Sequence, residues 1–271
     1  MKKSALYILA GVSLWACTAP YTIDGKQAKR KLAVDGFIST LAGASRIILS
    51  YSSADFSTGS TEFVNHAAVT VTDEDGIITT FAPEANGKYV AQAGYAAKVG
   101  QKYHLKIIVD GGTYEADDTL FPVSPIAKLD FIENSPNNND NRALIDYKYQ
   151  VRYYAEKQAG KNYYQVVQYK NGQLYSRNNN GAFVYSDDVL KDGGNVLPVR
   201  FRYKKDDVAR IDLLSISEAA YKFYNDLNNI QRNDGGMFNA PAANPVSNVS
   251  NGALGFFQAS DDSYKEITIK P

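Results

Sequence analysis

The chain is poor in the residues that most often carry chemistry. Its 271 residues hold one cysteine, one tryptophan, two methionines and two histidines. A single cysteine excludes an internal disulfide framework and any multi-cysteine zinc or iron–sulfur site. Two histidines, His66 and His104, leave little room for a histidine metal centre or a Ser-His-Asp system, which needs a positioned base. His104 falls inside the strand-like "KYHLKI", His66 in a polar loop, and neither belongs to a nucleophile motif. Charge of one sign is missing too: 29 basic residues balance 29 acidic ones. A chain so balanced lacks the concentrated basic surface that nucleic acid requires, and it has no polybasic membrane patch.

The one cysteine has an informative address. Lys2 and Lys3 precede an apolar run, Leu6 to Leu14, which ends at Leu14-Trp15-Ala16-Cys17. At ~1.5 Å per residue this run is too short to cross a hydrocarbon core about 30 Å thick. It has the size of a secretory signal core. An aliphatic residue, a tolerant position, a small residue and then cysteine form a bacterial lipobox. The reading is therefore a lipoprotein signal peptide over 1–16, cleavage after Ala16, and lipidation of Cys17. Several acyl chains anchor stably where one holds only marginally, at about 0.8 kcal/mol per buried methylene. The competing readings are an ordinary cleaved signal with an incidental cysteine, or a buried free cysteine. Loss of Lys2 and Lys3 takes the basic count from 29 to 27 against 29 acidic residues, a mature charge of −2.

What the chain has in quantity is tyrosine, 20 residues, within a composition 44% hydrophobic and 21% charged. That is a globular composition, and aromatic side chains suit cross-strand packing. Residues 17–30 are polar and aperiodic, a tether. From residue 31 the pattern alternates. "KLAVDGFIS" puts Leu32, Val34 and Gly36 on one face. Asp75-Gly76 and Asp110-Gly111-Gly112 sit between β-branched runs as hairpin turns. Short strands and regular turns predict an immunoglobulin/fibronectin-like β-sandwich over 31–122. Pro122 and Pro125 mark a boundary. A second β-rich domain follows over 126–271. In it Tyr147, Tyr149, Val151 and Tyr153 share a face, and Asn171-Gly172 turns another hairpin. One helix is expected near 215–231: Ile216, Ala220, Phe223, Leu227 and Ile230 make an apolar face, and Ser215 with Glu218 fits a capping box. The fold class is thus mainly β, an N-terminal sandwich followed by a second β domain carrying one helix.

Four acidic doublets, Asp117-Asp118, Asp187-Asp188, Asp206-Asp207 and Asp261-Asp262, read as solvated strand ends, because neighbours in a strand face opposite ways. "DEDG" from Asp73 reads as a turn, lacking the wider ligand spacing of a calcium loop. Tyr153, Tyr154, Tyr163, Tyr164, Tyr169 and Tyr175 are candidates for stacking on a ring-bearing ligand, with core packing as the alternative. No catalytic, cofactor-binding or metal-ligating residue is assigned; Cys17 is the one site. Asn137 to Asn141 and Asn178 to Asn180 are loop tips suited to contacts.

The order of "KLAVDGFIST" after the lipobox, "AAVTVTDEDG", "GKYVA", "GQKYHLKI", "TYEADDTL", "LLSISEAAYKFYNDLNN", "GGMF" and "NVSNGALGFFQAS" resembles a known family across nearly the whole mature chain. It is the Bacteroidetes outer-membrane lipoproteins grouped as domain of unknown function 4249. The resemblance implies attachment to the outer membrane through Cys17, with either the periplasmic or the cell-surface face open. It implies association with a TonB-dependent receptor, no cofactor and no established activity. A binding accessory of such a transporter is the leading expectation, with a small-molecule or glycan ligand left unnamed. A structural or adhesive envelope protein and a hydrolase are the alternatives.

Overall fold

Alternation of apolar and polar residues builds most of what is seen. The computed structural model describes residues 30–53, 61–133, 147–175, 182–190, 195–232 and 244–271. Cys17, the tether up to residue 29 and the two Asn-rich tips lie outside the described residues. The first sheet contains β1 (Leu32–Ser39), β2 (Arg46–Tyr51), β3 (Glu62–Phe63), β4 (Ala68–Asp73), β5 (Ile78–Pro83), β6 (Lys88–Val90), β7 (Lys102–Val109) and β8 (Gly112–Thr119). Its hairpins turn where the sequence places them. Asp110 and Gly111 both have positive φ, 48° and 75°, and Val109 pairs with Gly112 across a two-residue turn. Asn and Asp tolerate that region and glycine adopts it freely.

After Pro125 the chain forms a second pair of sheets. One joins β9 (Ile126–Glu133), β10 (Tyr149–Ala155) and β14 (Asn195–Tyr203) in the order β14-β10-β9. The other joins β11 (Tyr163–Lys170), β12 (Gln173–Leu174), β13 (Phe183–Ser186), β15 (Val208–Ile216) and β17 (Asp262–Thr268), with β11 and β15 central. Val151 and Tyr153 of β10, Val199 and Tyr203 of β14, and Ile211 and Leu213 of β15 share one core, all essentially inaccessible. The architecture is mainly β and sandwich-like. The described helix, α1 (Glu218–Arg232), follows β15 directly.

The first sheet takes its ninth strand from the far end of the chain. β16 (Leu254–Ser260) runs parallel to β1, Val34 opposite Gly255 and Ile38 opposite Ala259. The division at residues 122–126 groups this strand with the second half; in space it belongs to the first sheet. Phe257 and Ala259 enter the same core as Val34, Val71 and Leu105. Gly255 permits the pairing. Its φ is +92°, and a Cβ there would lie 1.9 Å from the Val34 carbonyl oxygen. Lys31–Ser52 and Ser60–Pro271 form one compact unit.

β8 and β16 are the two ends of the sheet, and the sheet curls until they meet. Asp118 of β8 closes the seam: its Oδ2 accepts the Ala259 N–H at 2.9 Å. The expectation that the acidic doublets are solvated fails here. Asp117 faces solvent against His104, as alternation requires, while Asp118 is 7% exposed. Burial outweighs the hydrogen bonds from Ala259, Ser217 and Thr119 and raises its pKa to about 6. Asp187 is buried as well, accepting from Asn162 Nδ2 at 2.8 Å.

The helix cap also differs by two residues. Ser215 belongs to β15, where its hydroxyl donates to the Phe121 carbonyl and accepts from the Asp261 N–H at 3.0 Å. Ser217 is the cap: its Oγ accepts the Ala220 N–H at 3.2 Å, and its carbonyl accepts from Tyr221 at 2.9 Å. A capping hydroxyl satisfies one of the first-turn N–H groups that have no helical partner. Ala220 and Phe223 are buried and Leu227 packs beside them, with Phe223 5.1 Å from the Phe256 ring of β16. Ile216 completes that cluster from the strand rather than from the helix.

Candidate functional site

Outward-facing residues of the first sheet and one face of the β11–β15–β17 sheet enclose a cleft of about 560 Å³. Strand alternation fixes what lines it. β1 buries Leu32, Val34 and Ile38 and so presents Asp35 and Phe37 outward; Arg46 of β2 pairs with Phe37. On the facing sheet Gln165, Val167 and Tyr169 of β11 lie opposite Leu214, Asp212 and Arg210 of β15. Asp262 of β17 pairs with Leu214. At one end the walls touch, Gln258 of β16 donating to Gln165 Oε1 at 3.2 Å. Tyr224 of α1 lines the same cleft.

The charges inside are unevenly matched. Arg210 clamps Asp212 in a fork, Nε to Oδ1 at 2.6 Å and Nη2 to Oδ2 at 2.9 Å. It lies between the rings of Tyr169 and Tyr264, at 5.3 and 4.0 Å. Burial nevertheless pushes the Asp212 carboxyl up, against the pull of Arg210. Asp262 is pushed further, to about 7, by burial first and then by the Asp212 charge. Its Oδ1 is buried without a hydrogen-bond partner. Burial, helped by the Asp212 charge, also raises the Tyr169 phenol; the Arg210 and Arg46 charges pull it down and the Asp262 charge pushes it up. Arg46 lies over Phe37, 5.1 Å from the ring centroid.

Of the six tyrosines singled out by sequence, Tyr169 and Tyr175 line the cleft. Tyr153, Tyr163 and Tyr164 are buried, the last stacked on Tyr185 at 5.2 Å. Tyr154 is bonded to Asp130 at 2.5 Å, alongside an Arg152–Asp130 fork. Sequence alone does not mark Arg46, Arg210 and Asp212, and it places Asp262 in an acidic doublet as a solvated strand end, whereas its Oδ1 is buried in the cleft wall. The signal for two of them was present: "ARIDLL" places Arg210 and Asp212 on one face of an otherwise apolar strand. The histidines lie elsewhere. His66 bonds Asp110 at 2.9 Å, and His104 bonds its cross-strand partner Asp117 at 3.0 Å. Among the described residues neither ring is bonded to a hydroxyl, and no three His, Cys, Asp or Glu side chains group as for a metal ion.

These features define a β-rich protein with two sandwich-like layers and a ligand-sized cleft walled by aromatic and charged side chains. The chain belongs to the family described as domain of unknown function (DUF4249), whose model matches residues 18–266. No curated protein matches it by sequence. Among solved structures it is similar to a two fibronectin type-III domain segment from chicken tenascin. That alignment has 9% identity, covers 89% of this chain and 99% of the other, and gives a TM-score of 0.22. So low a score carries no weight; the strand pairing above defines the fold.

Proposed function

We propose that this chain is a non-catalytic, lipid-anchored outer-membrane protein that binds a small solute in the cleft and serves an integral transporter of TonB-dependent type. The observation that carries the reading is the cleft itself. Its 560 Å³ falls within the roughly 300–1,000 Å³ of small-molecule sites, and it offers aromatic walls with a few placed charges. The lipobox ending at Cys17 supports the anchor. A tether at a membrane raises the effective concentration of the protein near membrane partners. No helix among the described residues is long and apolar enough to cross a membrane. The histidines lie away from the cleft on exposed carboxylates, which favours binding over hydrolysis.

The test pairs two measurements. Growth with an alkyne fatty acid should label the wild type and leave Cys17→Ala unlabelled and unprocessed. A tagged pull-down from gently solubilised outer membranes, quantified against Cys17→Ala, should enrich an integral transporter whose solute uptake falls when this protein is deleted. Equal labelling of the variant refutes the anchor. Absence of any enriched outer-membrane protein under crosslinking, together with turnover of a substrate by the purified chain, refutes the binding role.

A further inference from the structure

The cleft holds one half-buried, unmatched charge of each sign. Among the described residues no carboxylate lies within ion-pair distance of the Arg46 guanidinium; its contact is the face of Phe37 at 5.1 Å. On the opposite wall neither oxygen of Asp262 accepts a hydrogen bond, and Oδ1 is buried. The neighbouring charges of that wall are satisfied, Arg210 and Asp212 by one another. A protein interior rarely leaves a buried polar atom unmatched without a functional or structural reason. Both unmatched groups line the same cleft of about 560 Å³, a volume of small-molecule size, so one small ligand can span them.

We infer that the cleft takes a short zwitterionic peptide, its carboxylate on Arg46 and its ammonium on Asp262, with side chains against Phe37, Tyr169 and Tyr175. This rests on the solute-binding reading and names the ligand class for the same site. A guanidinium matches a carboxylate in a planar, two-bond geometry, and charge-assisted hydrogen bonds are the strong ones. A neutral sugar would leave both charges unmet. The electrostatics of the second wall agree. Asp262 is faced by Asp212 and Arg210 of β15 and by its neighbour Asp261, and its pKa near 7 leaves it part-protonated at neutral pH. An arriving ammonium favours the ionised form, so binding expels a proton.

The test uses the full-length lipoprotein in detergent micelles and isothermal titration with Ala-Phe-Ala carrying free termini. The N-acetylated and C-amidated forms and maltotriose are titrated alongside. Each cap should weaken binding by roughly tenfold to a hundredfold, the usual worth of a charge-assisted hydrogen bond. Arg46→Gln should bind acid and amide alike, and Asp262→Asn should bind amine and acetyl alike. At pH 7, buffers of different ionisation enthalpy should report proton release with the free peptide and none with Asp262→Asn. Should Arg46→Gln melt early, Arg46→Lys and the capped peptides on the unaltered protein carry the same comparison. Equal affinity for capped and free peptides, or no binding of any peptide, overturns the inference. Maltotriose binding that Arg46→Gln weakens would overturn the peptide class while leaving solute binding intact. Failure of every probe, with no transporter in the pull-down, defeats both readings.

Discussion

Replacing Asp118 with asparagine tests how the first sheet is closed. Asp118 is 7% exposed, and its carboxyl is the acceptor that joins β8 to β16 through the Ala259 N–H. Burial raises its pKa from 3.8 to about 6, the hydrogen bonds from Ala259, Ser217 and Thr119 offsetting only part of that rise. The folded state therefore holds this proton more tightly than the unfolded chain. Between the two values the folded state binds more protons, so stability falls as pH rises. The contribution is fully present below about pH 3.8 and is lost as pH passes through about 6. A shift of roughly 2 units at 1.36 kcal/mol each makes the swing about 3 kcal/mol. In Asp118→Asn the side-chain amide would keep a carbonyl acceptor for Ala259 and carry no charge at any pH. Urea denaturation of wild type and Asp118→Asn, run from pH 3.5 to 7.5, isolates the effect, because Asp262 titrates in both proteins and cancels in the difference. The stability of the wild type relative to the variant should fall by about 3 kcal/mol across that range, mostly between pH 4 and 6. A difference that stays flat, or that grows as pH rises, would show that Asp118 is not a buried, charge-disfavoured acceptor.

Four further outcomes follow from backbone geometry, packing and capping. Gly255→Ala should prevent β16 from pairing with β1, because its Cβ would meet the Val34 backbone at 1.9 Å; the soluble yield should collapse. Gly76→Ala, equally left-handed at φ +79° but with nothing within 4 Å, should cost only about 1–2 kcal/mol in a urea melt. Phe223→Ala removes a buried ring packed on Phe256 and should cost about 3–5 kcal/mol; a loss under ~1 kcal/mol would mean that α1 is not seated on β16. Ser217→Ala should cost about 1 kcal/mol through the lost cap, whereas a larger loss at neutral pH would show that its hydroxyl matters more to Asp118 than to the helix.

Local chemistry was legible because it is written within a few residues. Asp110-Gly111 and Asn171-Gly172 turn their hairpins, with positive φ at every one of those four positions. Tyr149, Val151 and Tyr153 are buried on a common face, as their alternation requires. The helix was legible from its spacing, but its start was misplaced. Ser215 and Ser217 both sit near a glutamate or an alanine that a cap could serve, and the end of β15 consumed the first. The acidic doublets were legible only in part. Alternation says that Asp117 and Asp118 face opposite ways, yet not that a distant strand covers one of them.

By itself the sequence determined a mainly β chain, its hairpin turns, the inward set of each strand and one amphipathic helix, because period, turn residues and capping residues act over short range. The tertiary structure decided which strands are neighbours. It set β16 beside β1 across more than two hundred residues, through a backbone approach that only Gly255 allows. That pairing seals the sheet at Asp118, seats α1 on Phe256, and brings the outer face of β1 and β2 against β11, β15 and β17. The cleft exists only after those steps. Arg46, Asp212 and Asp262 lie far apart along the chain, and nothing local to any of them records that they will face one another, because convergence of side chains depends on sheet order rather than on period.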